Sequence, residues 1–326
     1  MKVLVTGGAG FIGSHLSEEL IRQGHEVVAL DNLSTGRMEN IQHLKGNPKF
    51  ELVIGSILDE RLVDKFVERC DVVFHLAAAV GVYLIVNEPL QSLTTNIRGS
   101  EILLEMAYRY HKRILITSTS EIYGKNATGP LKEDVDRILG SPLKSRWSYS
   151  TAKAVDEILA YTYWKEKGLP TVIVRLFNTV GPRQVGHYGM VIPRFVQQAL
   201  KNEPITVYGT GDQTRCFLHV SDSVATQIKL MMLPEAAGEA FNIGSSEEVS
   251  IRGLAEKIVQ LTGSSSKLEY IPYDKAYEEG FEDMARRVPD TAKVKKYVGF
   301  QQTKALNEIL DSVIVYYRKE ANLAVR

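Results

Sequence analysis

Short apolar runs alternate, through the first half of the chain, with stretches whose apolar residues recur every third or fourth position. Residues 2–5, 26–30, 50–54, 71–75, 113–117 and 171–176 are the runs, each of strand length and mostly apolar, as expected for strands covered on both faces. Residues 11–23, 59–68, 89–110 and 149–167 carry the helical period. This βαβ alternation predicts an α/β domain built on a doubly wound parallel sheet. After Asn178 the texture changes, because Gly181, Pro182, Gly186, Gly189, Pro193, Pro204, Gly209 and Gly211 cut the chain into short pieces. A smaller, looped α+β unit is expected there, with helices at 191–201, 222–233, 251–261 and 305–317. The implied division is 1–180 and 181–326, with some later segments returning to the first domain.

Composition narrows the function classes. A length of 326 residues suffices for about two domains with a sizeable core. Lys+Arg and Asp+Glu both number 39, so there is no global field to draw in nucleic acid or an acidic membrane. Two cysteines, Cys70 and Cys216, lie far apart in apolar settings and read as core residues of a reducing compartment. The first residues lack the apolar core of a secretory signal, and the longest uncharged stretch, 72–87, is too short for a membrane span. A soluble cytoplasmic protein is expected, and the sequon Asn126-Ala127-Thr128 reads as a chance match. The seven histidines show no metal-ligand spacing, so no metal is expected.

The first strand runs directly into Gly7-Gly8-Ala9-Gly10-Phe11-Ile12-Gly13, where the helical period begins. Glycines here allow a tight turn and close backbone approach to a pyrophosphate, with free N–H groups at the helix start facing the anion. Asp31 ends the second strand 18 positions after Gly13, near the offset at which a carboxylate meets the adenosine ribose hydroxyls. That charge would repel a 2′-phosphate, so NAD is expected rather than NADP. Tyr149 and Lys153 stand four apart on one helical face, where an ammonium, joined by an oxidised nicotinamide, lowers the phenol pKa so that a phenolate can take a hydroxyl proton while hydride leaves to NAD. The fifth strand ends in Thr117-Ser118-Thr119-Ser120-Glu121, at the sheet edge where such folds bind ligands, and Glu121 is a candidate proton handler.

These segments resemble the extended short-chain dehydrogenase/reductases of the nucleotide-sugar epimerase, dehydratase and decarboxylase group. The likeness continues through Asp31-Asn32-Leu33-Ser34-Thr35-Gly36, His75-Leu76-Ala77-Ala78, Arg175-Leu176-Phe177-Asn178, Gly181-Pro182-Arg183, Thr206-Val207-Tyr208-Gly209, Gln213-Thr214-Arg215 and Arg287-Val288-Pro289-Asp290. The resemblance implies a Rossmann-type doubly wound sheet with a smaller α+β substrate-binding domain. It implies a cofactor site formed by Gly7, Gly10, Phe11, Ile12, Gly13, Asp31, Asn32, Ser34, Thr35, Gly36, Ser56, Ile57, Leu76, Ala77, Ala78, Asn96, Ser118, Tyr149 and Lys153. At Ser56 many relatives carry the Asp that meets the adenine amino group, so that contact is weakened. It further implies a triad of Thr119, Tyr149 and Lys153 that oxidises a sugar C4 hydroxyl. Asn178 and Arg215 match pyrophosphate-binding positions, residues 206–208 match the segment lining the base, and Arg183 joins the substrate side.

The second step depends on Thr119-Ser120-Glu121, Arg146-Trp147-Ser148-Tyr149 and the segment 280–289, which are similar to UDP-glucuronic acid decarboxylases. A 4-ketone makes the C6 carboxylate a β-keto acid that loses CO2 once the enolate oxygen is stabilised. On this reading Ser120 and Glu121 serve catalysis, Arg146 holds the carboxylate and Arg287 assists protonation while contacting substrate. Arg146 could equally cap or pair at the helix start, and Arg287 could bind phosphate. His187, Tyr188 and His219 either line the sugar pocket or are structural, and Glu133, Asp134 and Asp136 read as a solvated loop. A UDP-sugar 4-epimerase comes second, a 4,6-dehydratase third, and a nucleotide-sensing binding protein is the non-enzyme alternative. The resemblance also implies a homodimer through the helices at 89–110 and 149–167.

Overall fold

β-Branched residues dominate the strands of the central sheet because helices cover both of its faces. The computed structural model describes residues 1–79, 88–126, 129–144, 147–186, 190–273, 284 and 286–324. The sheet begins with β1 (Lys2–Thr6), β2 (Glu26–Asp31) and β3 (Phe50–Ile54). It continues with β4 (Val72–His75), β5 (Arg113–Thr119) and β6 (Thr171–Leu176). Short strands follow: β7 (Thr179–Val180), β8 (Ile205–Tyr208), β9 (Thr214–Cys216), β10 (Leu218–His219), β11 (Ala240–Ile243), β12 (Glu248–Ser250), β13 (Leu268–Ile271) and β14 (Arg286–Arg287).

Seven strands form one parallel sheet in the order β11-β6-β5-β4-β1-β2-β3. Val3 lies in register with Val27 on one side and Val72 on the other. Strand order therefore reverses between β1 and β4, and a crevice opens beyond their carboxyl ends, as expected for a Rossmann-type sheet. The helices are α1 (Phe11–Arg22), α2 (Glu60–Arg69), α3 (Pro89–Arg109), α4 (Ser148–Lys167), α5 (Val191–Leu200), α6 (Val220–Met232), α7 (Ile251–Thr262), α8 (Ala292–Val298) and α9 (Leu306–Ala324). Leu16, Leu20, Val224, Ile228 and Val294 from α1, α6 and α8 pack on one face of the sheet. Val63, Phe66, Ile102, Leu103 and Ala160 from α2, α3 and α4 fill the other. A separate core beneath the small strands joins Phe195, Val196, Ile205, Val207, Leu254, Ile258, Ile309 and Val313.

The strand and helix segments expected in the first half all form, with ends shifted by a residue or two. Two features of the second half join it to the sheet. The sheet's outer strand, β11, comes from residues 240–243 and pairs with β6, and α6 and α8 return to cover that edge. The substrate-side unit is thus stitched to the sheet rather than appended to it.

Candidate active site

The turn after β1 is shaped by backbone proximity. Gly7 has φ +71°, and a Cβ there would lie 2.9 Å from Ala77 N. A Cβ on Gly13 would lie 2.0 Å from the Gly7 carbonyl oxygen, so only glycine lets α1 start this close to the strand. The resulting N–H groups at the start of α1 open onto a cleft of about 700 Å³. Asp31 lines it, with Oδ2 accepting from Ala9 N at 2.9 Å and Oδ1 from Leu33 N at 2.8 Å. Burial pushes the Asp31 carboxyl above the usual carboxylate range, while those backbone donors oppose the shift.

Gly7, Gly10, Phe11, Ile12, Gly13, Asp31, Asn32, Ser34, Thr35, Ile57, Leu76, Ala77, Ala78 and Ser118 all line the cleft. The glycine cradle, the anion-seeking helix start and the carboxylate beyond it fit a dinucleotide. Three expected cofactor residues serve differently. Gly36 leaves room for Asp31, since a Cβ there would sit 2.6 Å from its Oδ1. Ser56 turns its hydroxyl to its own chain, accepting from Leu58 N at 3.1 Å, and is not part of the lining. Asn96 grips Ala79 from behind, with Oδ1 accepting from Ala79 N at 2.8 Å and Nδ2 donating to Ala79 O at 3.1 Å.

Tyr149 and Lys153 enter the same cleft from the first turns of α4. Thr119, at the end of β5, accepts from Glu121 N at 3.2 Å, and Ser150 Oγ donates to Glu121 O at 2.8 Å. These two bonds hold the short turn that presents Ser120 and Glu121 to the cleft. Opposite, Arg287 Nη1 lies 3.7 Å from Glu121 Oε1, and Arg287 Nη2 donates to Asn178 Oδ1 at 2.8 Å. Arg287 stands in register with Arg215 on neighbouring strands, placing two guanidinium groups at one cleft wall. At the far end Tyr208 lies under Arg194, 3.9 Å from ring centroid to guanidinium carbon, and Gln213 Nε2 donates to Tyr273 Oη at 3.0 Å.

Several expectations are corrected by position. Val207 points into the core beneath the small strands and is fully buried, so its side chain does not reach the cleft. Arg183 lines the cleft as expected of a site residue, and donates to Glu18 Oε2 at 2.7 Å and Ser14 Oγ at 3.3 Å, beside the start of α1. Glu133 is not a solvated loop residue: its Oε1 accepts from Asn242 N at 2.8 Å. Of the two readings of His219 the structural one fits its position, its Nδ1 accepting from Ser221 N at 3.2 Å at the start of α6. Arg146, His187, Tyr188 and residues 280–283 lie outside the described residues.

The electrostatics of Tyr149 also depart from expectation. Burial, reinforced by the negative charges of Glu121 and Asp156, pushes the phenol far above the ordinary tyrosine range. Lys153 directs its ammonium to Asp156 Oδ2 at 2.9 Å, in an ion pair almost wholly shielded from solvent. Sequence reasoning missed Asp156, as well as Arg194 and Tyr273. Among the described residues no three His, Cys, Asp or Glu side chains gather as a metal site.

Fold and site together define an extended short-chain dehydrogenase/reductase with an NAD cleft. More narrowly, the chain belongs to the GDP-mannose 4,6-dehydratase family, whose profile matches residues 4–313. It is 42% identical, over 98% of its length and 99% of the relative's, to the UDP-N-acetyl-alpha-D-glucosaminuronate decarboxylase of Bacillus cytotoxicus. UDP-glucuronic acid decarboxylase 1 of Xenopus tropicalis is 36% identical over 98% of this chain and 72% of that protein. Among solved structures, the UDP-glucuronic acid 4-epimerase of Bacillus cereus in complex with UDP-glucuronic acid and NAD is 30% identical. It matches with a TM-score of 0.88 over 98% of this chain and all of that one.

Proposed function

We propose that the protein is an NAD-dependent decarboxylase of a UDP-hexuronate, acting through oxidation at sugar C4. One observation carries this reading: a phenol, an ammonium, a carboxylate and a guanidinium, Tyr149, Lys153, Glu121 and Arg287, converge on one cleft in a chain with hexuronate decarboxylases among its relatives. Asn178, Arg215 and Tyr208 would hold the nucleotide end of the substrate. When bound, NAD supplies the acceptor for the C4 hydride and its later donor. Tyr149 takes the C4 hydroxyl proton as phenolate. The Lys153 ammonium favours that phenolate, against the adverse charge of Glu121.

With C4 a ketone, the C5–C6 bond breaks, CO2 leaves, and its electron pair moves into the C4–O enolate. Tyr149, now protonated, donates a hydrogen bond to that oxygen. C5 then takes a proton from water held between Glu121 and Arg287. UDP-glucuronate and its 2-acetamido counterpart are the two candidate substrates, and UDP-xylose or its 4-keto form the expected product of the first. Incubating the protein with NAD and each substrate, followed by mass spectrometry, tests this: loss of one CO2 is expected. An isomer of unchanged mass would instead establish a 4-epimerase, and loss of water from a neutral hexose a dehydratase.

The same reading includes a cytoplasmic homodimer. Both cysteines are buried and unpaired, as a reducing compartment permits. Ile158, Tyr161 and Trp164 form an exposed apolar stripe on α4. No helix among the described residues is long and apolar enough to cross a membrane. Ile158→Glu should convert dimer to monomer in sedimentation velocity. A wild-type monomer, or a variant that stays dimeric, rejects this interface.

A further inference from the structure

Behind Lys153 lies a run of buried polar groups that the catalytic reading does not use. Ala77 N donates to Thr6 Oγ1 at 3.2 Å. Thr6 Oγ1 pairs with His75 Nδ1 at 2.8 Å, and His75 Nε2 with Ser100 Oγ at 3.0 Å. Burial pushes the Asp156 carboxyl above the usual carboxylate range, and the Lys153 ammonium and the facing Ser100 hydroxyl oppose that shift, although Asp156 Oδ1 has no well-formed hydrogen bond. Thr6, His75, Ser100 and Asp156 are all essentially inaccessible to solvent. Burial without a carboxylate partner keeps His75 neutral, well below the usual histidine range.

A neutral imidazole has one donor and one acceptor, which fixes the direction of the run. With Ser100 donating toward the carboxylate, it accepts from Nε2–H, so Nδ1 accepts from the Thr6 hydroxyl, which accepts from Ala77 N–H. Every proton in the series points toward Asp156. The chain crosses β1, β4, α3 and α4 and starts on a residue that lines the cofactor cleft.

We propose that Asp156 is a positioning residue for Lys153: supported by the Thr6–His75–Ser100 donor series, its carboxylate holds the ammonium in place and sets its charge in a dry site. The inference rests on the reading that Lys153 assists Tyr149 in proton transfer. It also explains why the series is spent on a carboxylate. An ammonium buried alone would lose its proton, whereas one anion beside it keeps it charged. The same anion moderates the help that Lys153 gives Tyr149.

Among the described residues, the charged and titratable groups around this pair are few. Tyr149 and Glu157 share α4, and Glu157 is tied to Arg175 at 2.7 Å. His75 faces Lys153 from β4, and Glu121, opposite Arg287, faces Tyr149 from the turn after β5. Only Asp156 touches the ammonium among them. Removing its charge lowers the pH at which each neighbour loses a proton. The pH–rate profile therefore moves to lower pH.

The test uses the full chain carrying Asp156→Asn and Asp156→Glu. In the protein without NAD, the Nζ resonance of Lys153, assigned by its loss in Lys153→Met, is followed against pH in lysine-labelled samples. Deprotonation at least about one pH unit lower in Asp156→Asn, a tenfold change in the proton equilibrium, is expected, with Asp156→Glu close to wild type. With NAD and substrate, the kcat/KM profile of Asp156→Asn should move in the same direction. An unchanged lysine titration in Asp156→Asn, or the same shift in Asp156→Glu, overturns the proposal. A shifted titration with no CO2 released from either hexuronate leaves it standing and rejects the substrate reading.

Discussion

Gly13→Ala is the sharpest perturbation of the cofactor turn. The added methyl would sit 2.0 Å from the Gly7 oxygen, 2.8 Å from the Gly7 carbonyl carbon and 2.9 Å from the Gly8 Cα. All three are backbone atoms, so no side-chain rotation relieves the overlap. Ordinary carbon contacts need about 3.5 Å or more, so the turn and α1 must separate by about 1 Å. Overpacking of this kind costs about 1–3 kcal/mol. In a chain of this size that lowers the thermal midpoint by several degrees, at about 2–4 °C per kcal/mol. The larger effect falls on ligand affinity, because N–H groups moved by that distance lose hydrogen bonds to a charged group, each contributing about 1.5–3 kcal/mol. Calorimetric titration with NAD should show affinity reduced by at least about tenfold, on the conversion of 1.4 kcal/mol per decade. Gly253→Ala is the control, since it lies in α7 outside the cleft lining and its Cβ would meet only the Ser250 hydroxyl at 3.1 Å and Val249 Cγ2 at 3.8 Å. Wild-type affinity in Gly13→Ala, or a comparable loss in Gly253→Ala, would refute the cradle argument.

Glu121→Gln should lower kcat by at least about tenfold, within the range of general acid–base contributions, while KM changes little. A kinetically silent variant would remove Glu121 from the mechanism. Stability should also depend on pH. Burial depresses His15 and His219 to about 4 and holds His75 well below the usual histidine range, so these histidines are neutral in the folded protein while the unfolded chain protonates near 6.5. Unfolding therefore takes up protons, and stability present above that value is lost as pH falls from 6.5 toward 4, by up to about 1.4 kcal/mol per pH unit for each histidine. The urea midpoint should drop between neutral pH and pH about 5; a constant midpoint would contradict neutral burial.

Much of the cofactor half was legible because its signals are local. Gly7 to Gly13, Asp31 and the apolar runs act through turn geometry and strand burial, which neighbouring residues specify. Residues on the substrate side were harder to assign, since a motif specifies a segment and not the face each side chain takes. Val207 shows this. In β8, Ile205 and Val207 alternate with Thr206 and Tyr208, so the strand period itself turns Val207 inward and Tyr208 toward the cleft. Strand β11 is four residues long, and its place beside β6 depends on partners far away in the chain. Asp156 was unreadable for a related reason. An acidic residue three positions after a lysine on a helix ordinarily marks a solvated face, and only the packing of α3 against α4 encloses this pair with Ser100.

The account centres on Tyr149 as the base whose action makes the carboxylate labile. Release of labelled CO2 from carboxyl-labelled UDP-hexuronate, compared between wild type and Tyr149→Phe with NAD affinity measured alongside, tests it directly. Steady CO2 release by the wild type, almost none by the variant, and similar NAD affinity in both are predicted. Release at the wild-type rate from Tyr149→Phe would contradict the account.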